Sequence, residues 1–313
     1  MKTCASGWKR LKRGCKSDRP CPTGSQCEWL GMDPTHVAVQ SGVDDPTYVA
    51  FDAVAADYDR QFTDTALGRL LRERVYRLAH YPALPGAAAL ELNCGTGADA
   101  VWLARRGFRV LATDISPEMV GITKAKLMQA GLGSTADAVV CNMTQLGTLA
   151  DVMPKEFDLV WSNFGGLNCL SPDNLRKLQD DLRAVMAPNA TLTAVVMGRF
   201  CLWETLYFLL KGQPSQAFRR LKKGGVLAPT GAPGSFIHTW YYSPAMLQRY
   251  FPHFTVTRLY PIGFWLPPSY LEPFFGRYPR FLRVLNGLER QIGGSWLAGG
   301  ADHFMVRMIV RHG

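Results

Sequence analysis

The sequence lacks three features that define common special classes of protein. Its eight cysteines include no CxxC pair, so they give little support to a structural zinc site. There is no uninterrupted apolar run of about 18 residues, the length that a transmembrane helix needs. No apolar segment follows the basic N-terminus, which argues against a secretory signal. We therefore predict a cytoplasmic protein with reduced thiols and no metal.

Charge is unevenly distributed along the 313 residues. Residues 1–31 carry seven Lys and Arg against two acids, and they supply half of the formal net charge of +10. This segment is rich in Gly, Pro and Ser without periodicity, so we predict that residues 1–44 are disordered. Alternatively, Met32 is the true start of the protein. The remaining +5 does not require a nucleic-acid partner, and it would not repel an acidic substrate or an anionic membrane.

From residue 45 onward, strand and helix patterns alternate. Helical patterns cover residues 67–80, 117–129 and 171–186, and a further helix ends near Gly107. The predicted strands are residues 87–92, 109–113, 138–141, 157–161, 191–197, 254–259 and 304–310. This alternation predicts an α/β protein with a Rossmann-like, seven-stranded, mostly parallel sheet and helices on both faces. Residues 45–313 would form one domain.

Two segments interrupt the alternation, at about residues 199–242 and 267–300. Both are rich in Phe, Trp, Tyr, Leu and Pro. The first follows the fifth predicted strand, and the second separates the sixth from the seventh. Open α/β sheets bind ligands at the carboxyl edge of their strands, so we predict that these insertions cover a binding site there.

A glycine turn follows the first predicted strand, in the sequence Ala89-Leu90-Glu91-Leu92-Asn93-Cys94-Gly95-Thr96-Gly97. Its glycines allow a ligand to approach the backbone closely. Asp114 ends the next strand, where an acid can accept hydrogen bonds from the hydroxyls of a ribose. These two features predict a nucleoside cofactor.

The glycine spacing alone does not choose between two such cofactors. Gly95, Gly97 and Ala100 satisfy the GxGxxA pattern of dinucleotide-binding proteins, so an NAD-dependent oxidoreductase is an alternative. However, Glu91 would repel a pyrophosphate, whereas it could meet the amino group of a methionine moiety. A dinucleotide-binding fold also has a second nucleotide-binding half, and the final predicted strands of this chain do not have that pattern. Both features favour S-adenosylmethionine (SAM).

Four motifs resemble those of class I SAM-dependent methyltransferases. ALELNCGTG resembles their first motif, and VLATDISPEMV resembles their ribose motif. FDAVAADYD and FDLVWSNFGGLNCL are similar to the entrance helix and the fourth-strand motif of small-molecule methyltransferases of ubiquinone and menaquinone biosynthesis. The resemblance covers residues 48–197 well and the final strands loosely.

The resemblance implies a set of cofactor-binding residues. They are Tyr58 over the cofactor, Glu91 at its methionine portion, Gly95 and Gly97 beneath it, Asp114 at the ribose, Ile115 beside the adenine, Asn142 and Met143 at the adenine edge, and Asn163 and Phe164 beside the methionine end. Two residues depart from the family pattern. Asn93, also in the predicted site, replaces a usual glycine, and Asn142 replaces a common Asp. An amide oxygen can still accept a hydrogen bond from the adenine amino group.

The aromatic insertions predict a small, apolar or aromatic methyl acceptor. Some acceptors need a base, and His238 is the first candidate because the pKa of histidine lies near neutrality. Tyr241 is a weaker candidate, as is Tyr242, and His303 is interpreted as a structural hydrogen-bonding residue.

Other functions remain as alternatives. A catalytically silent SAM-binding or scaffold protein would keep the same cofactor residues. A nucleic-acid methyltransferase is disfavoured because residues 162–165 read Ser-Asn-Phe-Gly, where base-modifying enzymes often carry Asn-Pro-Pro-aromatic. The apolar and basic residues between Trp203 and Lys223 could contact a membrane surface peripherally.

Overall fold

The computed structural model describes residues 46–79, 81, 86–152, 157–232 and 234–311. The segment predicted to be disordered, residues 1–44, lies outside the described residues, as do the four cysteines that it contains. The four described cysteines, Cys94, Cys141, Cys169 and Cys201, are free thiols.

A seven-stranded sheet forms the centre of the fold, in the order β3-β2-β1-β4-β5-β9-β8. Its strands are β1 (Ala88–Glu91), β2 (Arg109–Asp114), β3 (Ala136–Val140), β4 (Phe157–Ser162), β5 (Met186–Met197), β8 (Phe254–Ile262) and β9 (His303–Val310). Only β9 runs antiparallel to its neighbours, β5 and β8. The predicted Rossmann-like fold is confirmed. Two further strands, β6 (Val226–Pro229) and β7 (Phe236–Thr239), form a separate antiparallel pair.

Helices cover both faces of the sheet. They are α1 (Pro46–Asp52), α2 (Ala66–Ala79), α3 (Ala98–Ala104), α4 (Pro117–Gln129), α5 (Gly147–Val152), α6 (Pro172–Val185), α7 (Leu202–Leu210), α8 (Pro214–Ala217), α9 (Pro244–Tyr250), α10 (Glu272–Phe275) and α11 (Pro279–Gln291). Helices α4, α6 and α9 share one N-terminal device. In each, a serine hydroxyl caps the first turn and a proline follows it.

The core consists of one apolar layer on each side of the sheet. Leu90 and Leu92 of β1 pack in the layer that contains the buried leucines of α6. Ala89 packs in the other layer, with residues of α2 and α3 such as Leu71 and Leu103. Because side chains alternate along a strand, Glu91 faces the α2 and α3 side at the carboxyl end of β1.

The two segments predicted as insertions contain regular elements. Residues 199–242 contain α7, α8, β6 and β7, and residues 267–300 contain α10 and α11. The second segment is largely helical. No helix in the part of the chain that the structure describes is long and apolar enough to cross a membrane.

Candidate functional site

The turn after β1 owes its shape to two glycines. Gly95 and Gly97 have φ values of +51° and +81°, a region that other residues rarely adopt. A Cβ atom at Gly97 would lie 2.8 Å from the side chain of Thr123 on α4. The Thr123 hydroxyl also donates a 2.8 Å hydrogen bond to the carbonyl of Gly95. The turn is therefore held against the N-terminal half of α4, and its backbone faces the carboxyl edge of the sheet.

Asp114, at the end of β2, holds this turn from the other side. Its Oδ2 accepts a 2.9 Å hydrogen bond from the Gly95 N–H, and its Oδ1 accepts a 3.0 Å hydrogen bond from the Ser116 N–H. Burial raises the pKa of Asp114 to about 6, although these N–H groups and that of Ile115 favour the carboxylate. Ile115 itself is half-buried, next to Asp114. A carboxylate has about four acceptor positions, so these N–H groups do not use all of them.

Glu91 is the least satisfied polar group near the turn. Its side chain is buried, and neither carboxylate oxygen has a hydrogen-bond partner among the described residues. Burial and the nearby Asp99 raise the pKa of Glu91 well above its usual value, while Arg72 opposes the shift. A buried carboxylate without a partner lowers the free energy of unfolding unless a ligand pairs with it. Glu91 thus has the properties of a binding site for a cation.

Asn93 occupies the position where related turns have glycine, and it is not among the residues with positive φ. Its Nδ2 donates a 2.7 Å hydrogen bond to the Asn163 carbonyl, and its Oδ1 accepts a 2.6 Å hydrogen bond from the Ser162 hydroxyl. A Cβ atom at Gly166 would lie 2.2 Å from Asn93 Cγ. The asparagine therefore joins the ends of β1 and β4, and the absent side chain at Gly166 leaves room for it.

Residues 46–63, which we call the N-terminal cover, lie over the turn. The ring of Tyr58 lies over Gly95, since a Cβ atom there would be 3.8 Å from Tyr58 Cε1. Burial raises the pKa of Tyr58. Asp59 Oδ1 accepts a 2.6 Å hydrogen bond from the Thr96 hydroxyl, and Asp59 also pairs with Lys126 on α4. These contacts keep the segment close to the glycine turn.

Asn142 and Met143 follow β3, at the same edge of the sheet. Asn142 caps a short 3-10 helix, Met143–Gln145, because its Oδ1 accepts 2.9 Å hydrogen bonds from both the N–H and the hydroxyl of Thr144. The oxygen expected to contact adenine thus already accepts two hydrogen bonds. Met143 is half-buried against the core.

The loop after β4 contains Asn163 and Phe164 and is joined to residues that the sequence did not single out. Asn163 Nδ2 donates a 3.0 Å hydrogen bond to Asp99 on α3, which also pairs with Arg72 on α2 at 2.7 Å. The Arg72 guanidinium lies 5.1 Å from the centre of the Phe164 ring. Phe164 has a φ of +45°, a strained value that functional loops often contain. Together they extend the site from Glu91 towards β4.

His303 lies beyond Phe164, at the start of β9. The two rings meet edge to face with their centres 5.6 Å apart. His303 Nδ1 is 3.1 Å from Asp302 Oδ2, and both residues are buried. Burial would raise the pKa of Asp302, but His303 and Arg220 outweigh it and hold this pKa below its usual value. A histidine oriented by a buried carboxylate is a common arrangement for a base.

The two sequence-predicted catalytic candidates lie in the first insertion. His238 is on β7, where its side chain is exposed and its ring centre is 4.1 Å from that of Trp240. Tyr241 is buried, with the Arg220 guanidinium 5.0 Å from its ring centre, and its pKa is raised by burial. Neither His238 nor Tyr241 is in direct contact with the glycine turn. His303, interpreted from the sequence as a structural residue, lies beside Phe164 because the fold brings β9 next to the loop after β4.

Comparisons with known proteins agree with this geometry. Residues 89–189, which span β1 to the bulge in β5, match the family described as a methyltransferase domain. Magnesium-protoporphyrin O-methyltransferase of Rhodobacter capsulatus is 38% identical over 77 residues, which are 25% of this chain and 31% of that protein. Demethylmenaquinone methyltransferase of Clavibacter sepedonicus is 31% identical over 142 residues, or 45% and 54% of the two chains. Residues 89–189 are therefore similar to a methyltransferase domain, the kind of domain that the four sequence motifs predicted.

A solved structure shares the fold of this chain. Geranyl diphosphate methyltransferase, in complex with GPP and sinefungin, superposes with a TM-score of 0.50 at 14% identity, covering 76% of each chain. Among the curated relatives, the matched part spans from about a third to about half of their length. Within the described ranges, no group of three His, Cys, Asp or Glu residues is placed to hold a metal ion.

Proposed function

We propose that this protein transfers a methyl group from SAM to a small, apolar or aromatic acceptor. The observation that carries the proposal is the buried carboxylate of Glu91, which has no partner and lies beside the glycine turn held by Asp114. When bound, SAM supplies a methyl group on a sulfonium, so that the protein has mainly to position the acceptor and exclude water.

The described residues fit this cofactor. Glu91 would receive the ammonium of the methionine portion, which removes the cost of its unpaired carboxylate. The free acceptor positions of Asp114 would receive the ribose hydroxyls, and Gly95 and Gly97 would let the cofactor approach the backbone. Tyr58 would cover the ribose side, while Ile115 would lie beside the adenine. Asn163 and Phe164 would flank the methionine end.

We propose that Asn142 and Met143 lie at the adenine edge. The role of the Asn142 amide, however, differs from the adenine contact that the resemblance implies. Because Thr144 already uses Asn142 Oδ1, we infer that Asn142 mainly shapes the turn that carries Met143. An adenine contact through the same oxygen would require the Thr144 hydroxyl to rotate away. Asn93 acts in a comparable way, by positioning the loop of Asn163 and Phe164.

The insertions support an apolar acceptor. Residues 199–242 begin directly after the carboxyl end of β5, and a cavity of about 210 Å³ there is lined mainly by apolar groups that include Phe200, Tyr242 and Ala298. Gly231 in the β6–β7 connection contacts Gln61 of the N-terminal cover. The first insertion and the cover would therefore enclose the acceptor together. The relatives' printed names, which include a porphyrin and a menaquinone precursor, are consistent with this class.

For acceptors that need a base, we propose His303 ahead of His238 and Tyr241. His303 contacts Phe164 and lies beside the buried carboxylate of Asp302, whereas His238 is exposed on β7. Replacing His303 with Asn should lower methyl transfer at least tenfold and leave the affinity for S-adenosylhomocysteine within about threefold. His238→Asn is the matched comparison. A larger loss in that variant would assign the role to His238.

The cofactor is tested by calorimetric titration with SAM, S-adenosylhomocysteine and NAD(H). We expect micromolar binding of the first two ligands and its loss in Asp114→Ala, with Asp173→Ala as the control because Asp173 is exposed on α6. Binding of NAD(H) alone would instead favour an oxidoreductase. Binding of SAM without transfer to any member of an apolar acceptor panel would favour a silent or scaffold protein. The cytoplasmic location stays a prediction.

A further inference from the structure

Basic residues are concentrated in one part of the chain. Residues 199–301 contain twelve Lys and Arg but only three acids, whereas residues 32–198 contain fourteen Lys and Arg and nineteen acids. The segment with the basic excess carries α7, α8, α10 and α11. Residues 199–301 therefore carry a net charge of +9, against −5 for residues 32–198.

Each of the three acids in this segment is already bonded within the protein. Glu204 is buried and pairs with Arg219 and Arg220. Glu272 accepts hydrogen bonds from two N–H groups at the start of α2, and buried Glu289 accepts them from the N–H groups of Gly263, Phe264 and Trp265. None of these three acids is therefore available to neutralise the basic side chains on the surface.

The basic side chains, by contrast, point outward. Six of them are exposed and form no salt bridge within the described part of the chain: Lys211, Lys222, Lys223, Arg277, Arg280 and Arg283. An anionic partner would therefore find cations without a salt bridge on this part of the surface.

Large apolar side chains are exposed among these cations. On α11, Phe281, Val284 and Leu288 recur at helical spacing and are exposed, beside the face that carries the buried Leu282 and Leu285. The exposed apolar side chains of the region include Leu210 at 89%, Trp296 at 81% and Val284 at 62%. Further exposed members are Leu202, Leu206 and Leu209 on α7, and Phe274 and Tyr278 near α10.

Aromatic contacts join the two groups of helices. The ring of Trp203 on α7 meets that of Phe275 on α10 at 5.6 Å, and Phe275 stacks on Phe281 of α11 at 6.0 Å. Phe274 contacts both Phe275 and Tyr278. The exposed residues of α7, α10 and α11 thus belong to one packed unit, which we call the basic apolar face.

We propose that the basic apolar face docks on an anionic lipid bilayer. Apolar side chains interspersed with unpaired cations match the acyl boundary and the anionic headgroups of such a surface. A second copy of the chain is a poor occupant because the same cations would face each other. Residues 1–31 are a poor occupant too, since they carry a net charge of +5. This binding does not depend on methyl transfer.

The test is cosedimentation of the full chain with two kinds of vesicle, phosphatidylcholine alone and phosphatidylcholine with about one third phosphatidylglycerol. We expect binding to the anionic vesicles, at least tenfold weaker binding to the neutral ones, and loss of binding as salt is raised from about 0.05 to 0.5 M. Equal binding to both vesicles, or binding to neither, would overturn the proposal.

Two variants and a control locate the surface. The charge-reversal variant R277E/R280E/R283E and the apolar variant L210S/V284S/W296S should each weaken binding at least tenfold. The control R105E/R176E/R183E reverses three exposed arginines outside residues 199–301 and should bind within about threefold of the wild type. Unchanged S-adenosylhomocysteine binding and thermal melting verify folding. If light scattering shows a dimer that the apolar variant abolishes, and vesicles do not bind, the face contacts a second copy instead.

Discussion

At the scale of single residues, the site depends on a carboxylate that the folded protein leaves without a partner. Glu91 has a raised pKa in the ligand-free protein, and an ammonium beside it would lower that pKa. Binding of S-adenosylhomocysteine should therefore release protons in the pH range between the Glu91 pKa of the free protein and that of the complex. Calorimetry in buffers of different ionisation enthalpy measures this release.

Variants separate Glu91 from Asp114, the other buried acid near the turn. Glu91→Gln should abolish the proton release, whereas Asp114→Asn should weaken binding but retain most of the release, because the Asp114 pKa of about 6 leaves it mostly ionised at pH 7.5. A release that persists in Glu91→Gln would contradict the role given to Glu91.

The same carboxylate should reduce stability. For an acid whose folded pKa is raised, the unfolding free energy is highest below the unfolded pKa and falls as pH rises towards the folded pKa. Glu91→Gln removes this penalty, so we expect its melting temperature at pH 8 to exceed that of the wild type by a few degrees. The difference should shrink at pH 4.5. A lower melting temperature at pH 8 would indicate that Glu91 stabilises the fold.

At the scale of elements, the first insertion is fixed to the sheet by a buried ion network. Arg220 pairs with Glu204 at 2.7 Å and with Asp302 at 2.6 Å, and it donates hydrogen bonds to the carbonyls of Gly198 and Asp302. Arg220→Met leaves two buried carboxylates without this partner and should cost about 3–5 kcal/mol of unfolding free energy. Chemical denaturation measures the loss.

Arg219 provides the matched comparison for this network. It pairs with Glu204 alone, and its side chain is partly exposed, so Arg219→Met should cost much less than Arg220→Met. The low pKa of Asp302 also predicts a pH effect, because stability from such a group is present above its unfolded pKa and is lost as pH falls through its folded pKa. Equal costs for the two arginines would contradict a special role for Arg220.

The elements of the first 200 residues could be predicted well from the sequence, and the reason is their simple patterning. Helix α4 has the predicted bounds because Ser116 and Pro117 mark its start. Strand β5 begins five residues earlier than predicted, since Pro188 and Asn189 suggested a turn where the strand bulges. Helix α11 has apolar residues at helical spacing, but it was missed because it lies in a segment rich in Pro and Gly that interrupts the strand and helix alternation.

The candidate site was predictable to the extent that it is local. The glycine turn, Glu91 and Asp114 lie in consecutive elements with family motifs. Arg72, Asp99 and the pair Asp302 and His303 come from distant elements, and only the packing of α2, α3 and β9 brings them to the edge of the sheet. No local spacing indicates such neighbours.

At the scale of the whole molecule, the N-terminal cover and the first insertion meet above the glycine turn. Gln61 contacts Gly231, while Asp59 binds Thr96 and Lys126. Cofactor binding should therefore slow amide hydrogen exchange in both residues 50–63 and residues 226–239, although they are distant in sequence. Asp59→Asn should reduce the protection of both segments. Protection of the cover alone would mean that the insertion closes independently.

The excess of positive charge in residues 199–301 has a consequence for how the molecule approaches a charged surface. A body whose positive charge is concentrated on one side carries an electric dipole, and the field near a negatively charged surface exerts a torque on it. The protein would rotate before it makes contact and arrive with α11 leading. Successive molecules would then meet the surface in similar orientations, with the less basic part of each molecule facing the bulk solution.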